Sequence, residues 1–341
     1  DNLGVPIRCT QNPTMGEEWR RGWHPEQIAP AKTPQSVLVV GAGPAGLECA
    51  LQLANRGHEV ILSEASKQLG GRVIAESNLK GLAIWRRVSD YRIYQLQQMD
   101  NVNIYLDSAL DVQQVLELGI EQVFVATGAI WRKDGIGRTS RKPIAGLEQV
   151  AVYTPDDVMS GVPLGQGPVV IYDDDQGYLG GVLADHLSDL GHDVLFVTSA
   201  SIVSPFTELT LEQEQIQRGL VAQGVGIYTN KIIVSVSQKS GHAGVELKCV
   251  YGGQDEWLAC ASLVLVTERE SASPLYEQLQ QWQKDDGTSM AMSVTLIGDA
   301  LAPGLIADAV FSGHQAAQEF EADPDIIEQG LFKREMPSLN S

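Results

Sequence analysis

Gly41, Gly43 and Gly46 in the run GAGPAG, followed by Glu64, are the residues of this 341-residue chain whose types and spacing speak most directly of chemistry. G-x-G-x-x-G spacing suits an anion held on backbone amides. The first glycine permits a tight turn, the second lets backbone approach a pyrophosphate, and the third lets a helix lie close on a strand. Pro44 and Ala45 stand between them. Glu64, with Ala65 beside it, follows Gly46 at the distance where an acid takes the ribose hydroxyls of a bound adenosine. An acid there favours a free 2′-hydroxyl, and so FAD, NAD or ADP over NADP.

Glycines also mark ordinary turns, so the reading depends on the elements around them. Residues 37–40 form a short apolar β-branched run, which predicts a strand buried on both faces. Residues 47–56 predict a helix whose N-terminal amides and dipole would face the anion. Residues 60–63 predict a second strand that delivers Glu64 to its end. Gly70, Gly71 and Arg72 complete a pattern that resembles the E-x-x-x-x-x-G-G-R signature of FAD-binding flavoproteins. That resemblance implies that Arg72 is available to a phosphate.

The formal net charge of −19 argues against nucleic acid and anionic membrane as partners. No apolar run reaches the length of a membrane span and no signal peptide opens the chain, so a soluble, cytoplasmic protein is expected. Cys9, Cys49, Cys249 and Cys260 include no C-x-x-C pair, and the six histidines show no metal-ligand spacing. G-x-S-x-G, H-E-x-x-H and P-loop patterns are also missing, so no catalytic residue is assigned within the chain. The chain starts at Asp1 without a methionine, in what reads as a loop, which suggests a fragment.

Residues 1–35 carry Trp19 and Trp23, large aromatics that repay ordering only when buried, so this arm is expected to pack on its own domain. The sequence here, Cys9-Thr10-Gln11-Asn12-Pro13, then Gly16-Glu17-Glu18, then Arg20-Arg21-Gly22-Trp23-His24-Pro25-Glu26, resembles the join between barrel and nucleotide-binding domain in the trimethylamine and histamine dehydrogenases. The resemblance implies an FMN-bearing (β/α)₈ barrel upstream and Cys9 as the fourth ligand of a [4Fe–4S] cluster. As an isolated residue, Cys9 reads equally as a free thiol near a chain end, since one thiolate cannot hold a cluster. Also implied are a small-amine substrate (trimethylamine, dimethylamine, histamine or a methylated glycine), an electron-transferring flavoprotein as acceptor, and a homodimeric parent.

Further along, Leu82, Trp85, Val88, Tyr91 and Gln95 fall near helical spacing and predict an amphipathic helix. The stretch Gly81 to Arg92 again resembles the histamine dehydrogenase branch, which implies docking of a partner flavoprotein in this general region, although Arg86 and Arg87 read equally as a solvated face. Strands are expected at residues 103–106 and 123–125. The second leads into Ala126-Thr127-Gly128, which resembles the A-T-G turn that leaves the FAD-type domain in two-dinucleotide-domain flavoproteins. Residues 294–299 predict another buried strand, and its Gly298-Asp299 resembles the motif whose aspartate meets the ribityl or pyrophosphate region. His314, inside the helix expected at residues 305–320, reads as structural.

A Gly- and Pro-rich crossover near residues 143–167 opens a second βαβ unit: strand 169–172, helix 179–190, strand 193–197. Its turn reads YDDDQGYLGG. Asp173, Asp174 and Asp175 stand where a pyrophosphate needs glycines, so no NAD(P)H is expected there; alternatively, they cap the helix. A helix at residues 209–222, a β-rich stretch at 227–260 holding Cys249 and Cys260 as buried small residues, and a strand at 263–267 complete the unit.

The expected fold is α/β, with two Rossmann-like dinucleotide-binding-type domains in a glutathione-reductase-like arrangement, the second inserted in the first. Residues 1–35 form a linker, 36–150 with 290–322 an FAD- or ADP-binding domain, 151–289 the second domain, and 323–341 a polar tail. Cofactor-binding residues are expected at Gly41, Gly43, Pro44, Ala45, Gly46, Glu64, Ala65, Gly71, Arg72, Thr127, Gly128 and Asp299. Two other readings remain open: a free-standing FAD-dependent NAD(P)H reductase, and a non-catalytic adenine-nucleotide-binding docking module.

Overall fold

A computed structural model gives the architecture, and it describes residues 8–24, 28–286 and 292–322. The side chains of Trp19 and Arg20, Pro25 and Glu26 of the family-like arm, and the expected tail at 323–341 lie outside the described residues. The chain divides into two compact units. The first comprises residues 1–74, 85–129 and 271–341, and the second residues 75–84 and 130–270. The boundary expected at residue 150 therefore falls inside the second unit.

A short helix, α1 (Glu18–Arg21), lies in the N-terminal arm. β1 (Ser36–Val40) is buried from Val37 onward and runs through the glycine turn into α2 (Pro44–Asn55), with proline in the first turn, where its missing amide hydrogen leaves no bond unmade. β2 (Glu59–Ser63), α3 (Arg72–Glu76), α4 (Arg87–Leu96), β3 (Val102–Tyr105), α5 (Val112–Glu117) and β4 (Gln122–Val125) follow. In α4 the buried positions are Val88, Ser89, Arg92 and Leu96; of the expected stripe Leu82 and Val88 are buried, while Tyr91 is 53% exposed. The reason is electrostatic. Arg92 turns inward to meet a buried acid, Glu48, at 2.5 Å, and this sets the face that α4 buries.

β5 (Ala129–Trp131) carries the chain into the second unit. There β6 (Ala151–Tyr153), α6 (Pro155–Met159), β7 (Val169–Asp173), α7 (Tyr178–Asp189), β8 (Val194–Thr198), α8 (Gln213–Ala222) and β9 (Gly226–Tyr228) precede an antiparallel meander. The meander consists of β10 (Lys231–Lys239), β11 (His242–Cys249) and β12 (Glu256–Ala259), and β13 (Ser262–Val266) closes the unit. α8 begins after a 3₁₀ turn over Pro205–Thr210, four residues beyond the expected helix start. Cys260 is buried as expected, while Cys249, at the end of β11, is only half-buried. β14 (Arg269–Ser271), α9 (Pro274–Asp286), β15 (Ser293–Leu296) and α10 (Ile306–Glu319) complete the chain.

The first unit holds a five-stranded sheet in the order β15-β4-β1-β2-β3, with every pair parallel. β15 is its edge strand and only half-buried, not the buried strand that its apolar composition predicts; Met292 and Ile297, at its flanks, carry the burial. One layer of core, Leu47, Leu51, Leu53, Leu62, Phe124 and Ala317 among others, lies under α2 and α10. Another, including Leu38, Val123, Val125, Leu275 and Leu279, lies on the opposite side. The second unit repeats the plan in the order β6-β13-β7-β8-β9, again parallel throughout. In both units the first strand of the βαβ motif is central. The turn after it therefore opens at the point where strand order reverses, which is where ligands of such sheets bind. Among the described residues no helix is long and apolar enough to cross a membrane.

Candidate functional site

The site is built where β1, β2, β4 and β15 end. Gly41 has φ +100°, and a Cβ there would run into the backbone of Ala126. A Cβ on Gly46 would collide with the carbonyl oxygen of Gly41, so the third glycine lets α2 start flush on the turn. Gly43 is different. Its φ of −72° suits any residue and a Cβ there would meet nothing within 4 Å. Gly43 is also the N-cap of α2 and supplies no side-chain bond to the helix amides. The first turn of a twelve-residue helix thus opens on a space kept clear of side chain.

Glu64 stands at the mouth of this space, half-buried. One carboxylate oxygen accepts from the Ala42 amide at 2.7 Å and the other from the Ser66 amide at 2.9 Å. Each oxygen keeps a second lone pair free of these bonds. Ala65, next to it, is exposed. Gly70 donates to the Ala42 carbonyl at 2.8 Å, and a Cβ on Gly71 would lie 2.9 Å from Gly43 Cα, so the Gly-Gly-Arg turn lies against the glycine turn. Arg72 sends Nη2 to the Ala129 carbonyl at 2.7 Å and places Nη1 3.9 Å from Asp299 Oδ2. Asp299 Oδ1 accepts from the Gly304 amide at 3.0 Å. Thr127 Oγ1 donates to the Ala272 carbonyl, and Gly128 has φ +79°. Pro44 opens α2, and Ala45 packs beneath Gly298, next to Asp299.

The twelve residues singled out from sequence for cofactor binding are therefore gathered at one end of one sheet. Cys9 is not among them. It lies half-buried in the N-terminal arm, its sulfur accepting from the Asn12 amide at 3.4 Å. Among the described residues no group of three or more His, Cys, Asp or Glu side chains is placed to hold a metal ion. The arm packs as expected at Trp23, whose ring lies 5.2 Å from that of His314 and 5.8 Å from that of Phe311.

Sequence reasoning missed a buried charge network in the first unit. Glu48, inside the otherwise apolar face of α2, meets Arg92 Nε at 2.5 Å and His314 Nδ1 at 2.8 Å, all three buried. Burial pushes the Glu48 carboxyl up, but the His314 hydrogen bond and the Arg92 charge outweigh it and hold the group below its usual range. His314 is thus a structural histidine, as its place in an apolar helix suggested. The detectable signal was a lone acid in the helix GLECALQL.

In the second unit the aspartates do not cap the helix. Gly177 is the N-cap of α7, without a side-chain bond. Asp173 Oδ1 accepts from the Gln176 amide at 2.9 Å, one residue short of the helix. Asp174 binds the Thr139 amide at 2.8 Å and Ser199 Oγ at 2.7 Å. The Asp173 carboxyl is pushed well above its ordinary range by burial, and that of Asp175 is raised by the same cause.

Residues 35–288 match the family described as pyridine nucleotide-disulphide oxidoreductase. The chain is 43% identical to the histamine dehydrogenase of Rhizobium sp. 4-9, covering 93% of this chain and 48% of that one with a TM-score of 0.88. It is 41% identical to the 6-hydroxypseudooxynicotine amine oxidase of Pseudomonas geniculata N1, covering 92% and 46% with a TM-score of 0.87. It is also 36% identical to the dimethylamine dehydrogenase of Hyphomicrobium sp. (strain x), covering 97% of this chain and 48% of that protein. The chain thus spans about half the length of the relatives it matches. With two parallel sheets of one strand order and a family match over most of its length, the chain belongs to the pyridine nucleotide-disulphide oxidoreductase family and is homologous to these amine dehydrogenases over about half of their length.

Proposed function

We propose that this chain is the nucleotide-binding portion of a flavoprotein oxidoreductase that oxidises a small amine, and that its first unit holds ADP or the ADP part of FAD. The observation that carries the nucleotide reading is the clear space at Gly43: no fold requirement demands glycine there, yet a side chain would project into the mouth of an uncapped helix. The residues present fit the group. The α2 amides would bind the pyrophosphate, Glu64 would accept from the ribose hydroxyls, and Arg72 with Asp299 would border the chain beyond the phosphates. A bound flavin would supply electron transfer; a bound ADP would only brace the unit.

The substrate is an amine of the kind named for the relatives, and its chemistry belongs to the parent protein, where FMN and a [4Fe–4S] cluster are the expected redox groups. Cys9 is a single sulfur, and the described residues offer it no companion ligands for a cluster that needs four. An electron-transferring flavoprotein is the proposed acceptor. A surface for it is offered by α4, where Tyr91 and Tyr94 are 53% and 61% exposed beside Arg87.

Isothermal titration of the whole chain with ADP and FAD tests the reading. ADP binding that Gly43→Val weakens by at least about tenfold is expected, since a branched side chain fills the space a phosphate needs. Absence of binding at about 1 mM of either ligand overturns it.

A further inference from the structure

Both units open a helix on a glycine N-cap, and the second carries Asp173, Asp174 and Asp175 where the first has Val39, Val40 and Gly41, with its left-handed residue at Gln176 (φ +65°) instead of at the first glycine position. Gly43 and Gly177 are both N-caps with extended backbone, ψ −177° and −164°, and each opens a twelve-residue helix without a side-chain cap. Gly46 and Gly180 follow each at the same distance. Asp175 takes the position of Gly41. A Cβ on Gly43 would meet nothing within 4 Å, whereas one on Gly177 would lie 2.7 Å from Asp175 Oδ2. The Asp175 carboxyl is thus set against the Gly177 backbone; burial raises its pKa, and the charges of Arg269 and Arg138 and the Gly177 amide act against that rise. Arg138 Nε also donates to the Asp175 carbonyl at 3.1 Å.

Two further side chains mark the spot as a place for a polar ligand. Asp173 is fully buried against Gly180 in the first turn of α7, and its Oδ2 has no partner. Ser204 is fully buried as well, its Oγ unpartnered and 2.9 Å from the Cβ position of Gly181 in the same turn. Buried polar groups are normally satisfied, and these two sit at a helix N-terminus of the sort that binds phosphate.

We propose that the Asp175 carboxylate is a built-in occupant of the second unit's phosphate cradle, and that Asp175 is the residue by which this chain rejects pyridine dinucleotides. A tethered carboxylate competes at high effective concentration for the amide that a pyrophosphate would use. It also repels the arriving anion at close range. The proposal rests on the reading that the twin turn in the first unit holds an adenine nucleotide, and it assigns the second unit's turn as the same cradle closed by one residue.

The test titrates NADH, read by its own fluorescence, into the whole chain with ADP saturating, for the parent and Asp175→Gly; ADP binding is measured separately on the same samples. The parent is expected to show no NADH binding up to about 1 mM, and Asp175→Gly to bind at least about tenfold more tightly. NADH binding by the parent, or a folded Asp175→Gly that binds no better than the parent, overturns the proposal. Should the glycine variant fail to fold, Asp175→Ala removes the same carboxylate and is judged by the same two outcomes. Failure of ADP to bind would count against the first-unit reading, while the NADH comparison would still decide the role of Asp175.

Discussion

Asp173 and Glu48 are both buried carboxyls, and their surroundings push them in opposite directions. Glu48 has a guanidinium and an imidazole at hydrogen-bond distance, which outweigh burial and favour its charged form. For Asp173, burial is the largest influence and two neighbouring aspartates add to it, outweighing the Gln176 amide and the charge of Arg138 and favouring its neutral form. A raised carboxyl means that the folded chain binds a proton the unfolded chain has released. Its contribution is therefore full below the ordinary carboxylate range and declines as pH rises toward the folded value, by about 1.4 kcal/mol per pH unit. Asp173→Asn keeps the oxygen that accepts from Gln176 and never ionises. Urea unfolding across that window is expected to show a flatter profile than the parent and greater stability at its upper end. A variant as pH-dependent as the parent would show that Asp173 is charged in the fold.

At the scale of the element, the two glycines of the first turn do different work. Gly46 seats α2 on β1, since any Cβ there overlaps the Gly41 carbonyl oxygen. Gly46→Ala is expected to destabilise the chain by at least about 2 kcal/mol in urea unfolding, as overpacking does. Gly43→Ala, in open space at an ordinary φ, is expected to lie within about 1 kcal/mol of the parent. Equal losses at the two positions would remove the distinction between a packing glycine and a clearing glycine. Sequence spacing named both residues but could not separate them, because the pattern records only that side chains are missing. A Cβ on Gly46 would meet the Gly41 carbonyl and Ala126, the latter brought in from β4's end, whereas one on Gly43 would meet nothing, and only the folded chain shows that difference.

At the scale of the molecule, a nucleotide bound by the folded first unit and not by the unfolded chain must stabilise it. ADP at about 100 times its Kd is expected to add about 2.7 kcal/mol, read as an upward shift of the urea midpoint, and Gly43→Val at the same ADP concentration is expected to cut that gain to about 1.4 kcal/mol or less. No shift at saturating ADP would mean that the folded chain does not bind the nucleotide in preference to the unfolded chain. The strands and helices of both βαβ units were legible in the sequence because short apolar β-branched runs and glycine turns are local signals. The twelve candidate residues could be named for the same reason, since they lie in the turns and helix starts that follow β1, β2, β4 and β15, where local pattern announces them. Three things were not legible. Tyr91 was expected inside and lies outside, because Arg92 is drawn in by Glu48, forty-four residues away in sequence. β15 reads as a buried strand and forms an edge, because strand order, not composition, determines which strands are covered. The aspartates of the second turn read as repulsion or as caps, and only folding showed Asp175 placed over Gly177 and Asp173 sealed beneath Gly180. The sequence by itself determined the elements and the chemistry available at their ends, since propensity and spacing act over a few residues. Tertiary structure alone decided which charges are buried, which are paired and which space stays clear, since those depend on groups brought together from distant parts of the chain.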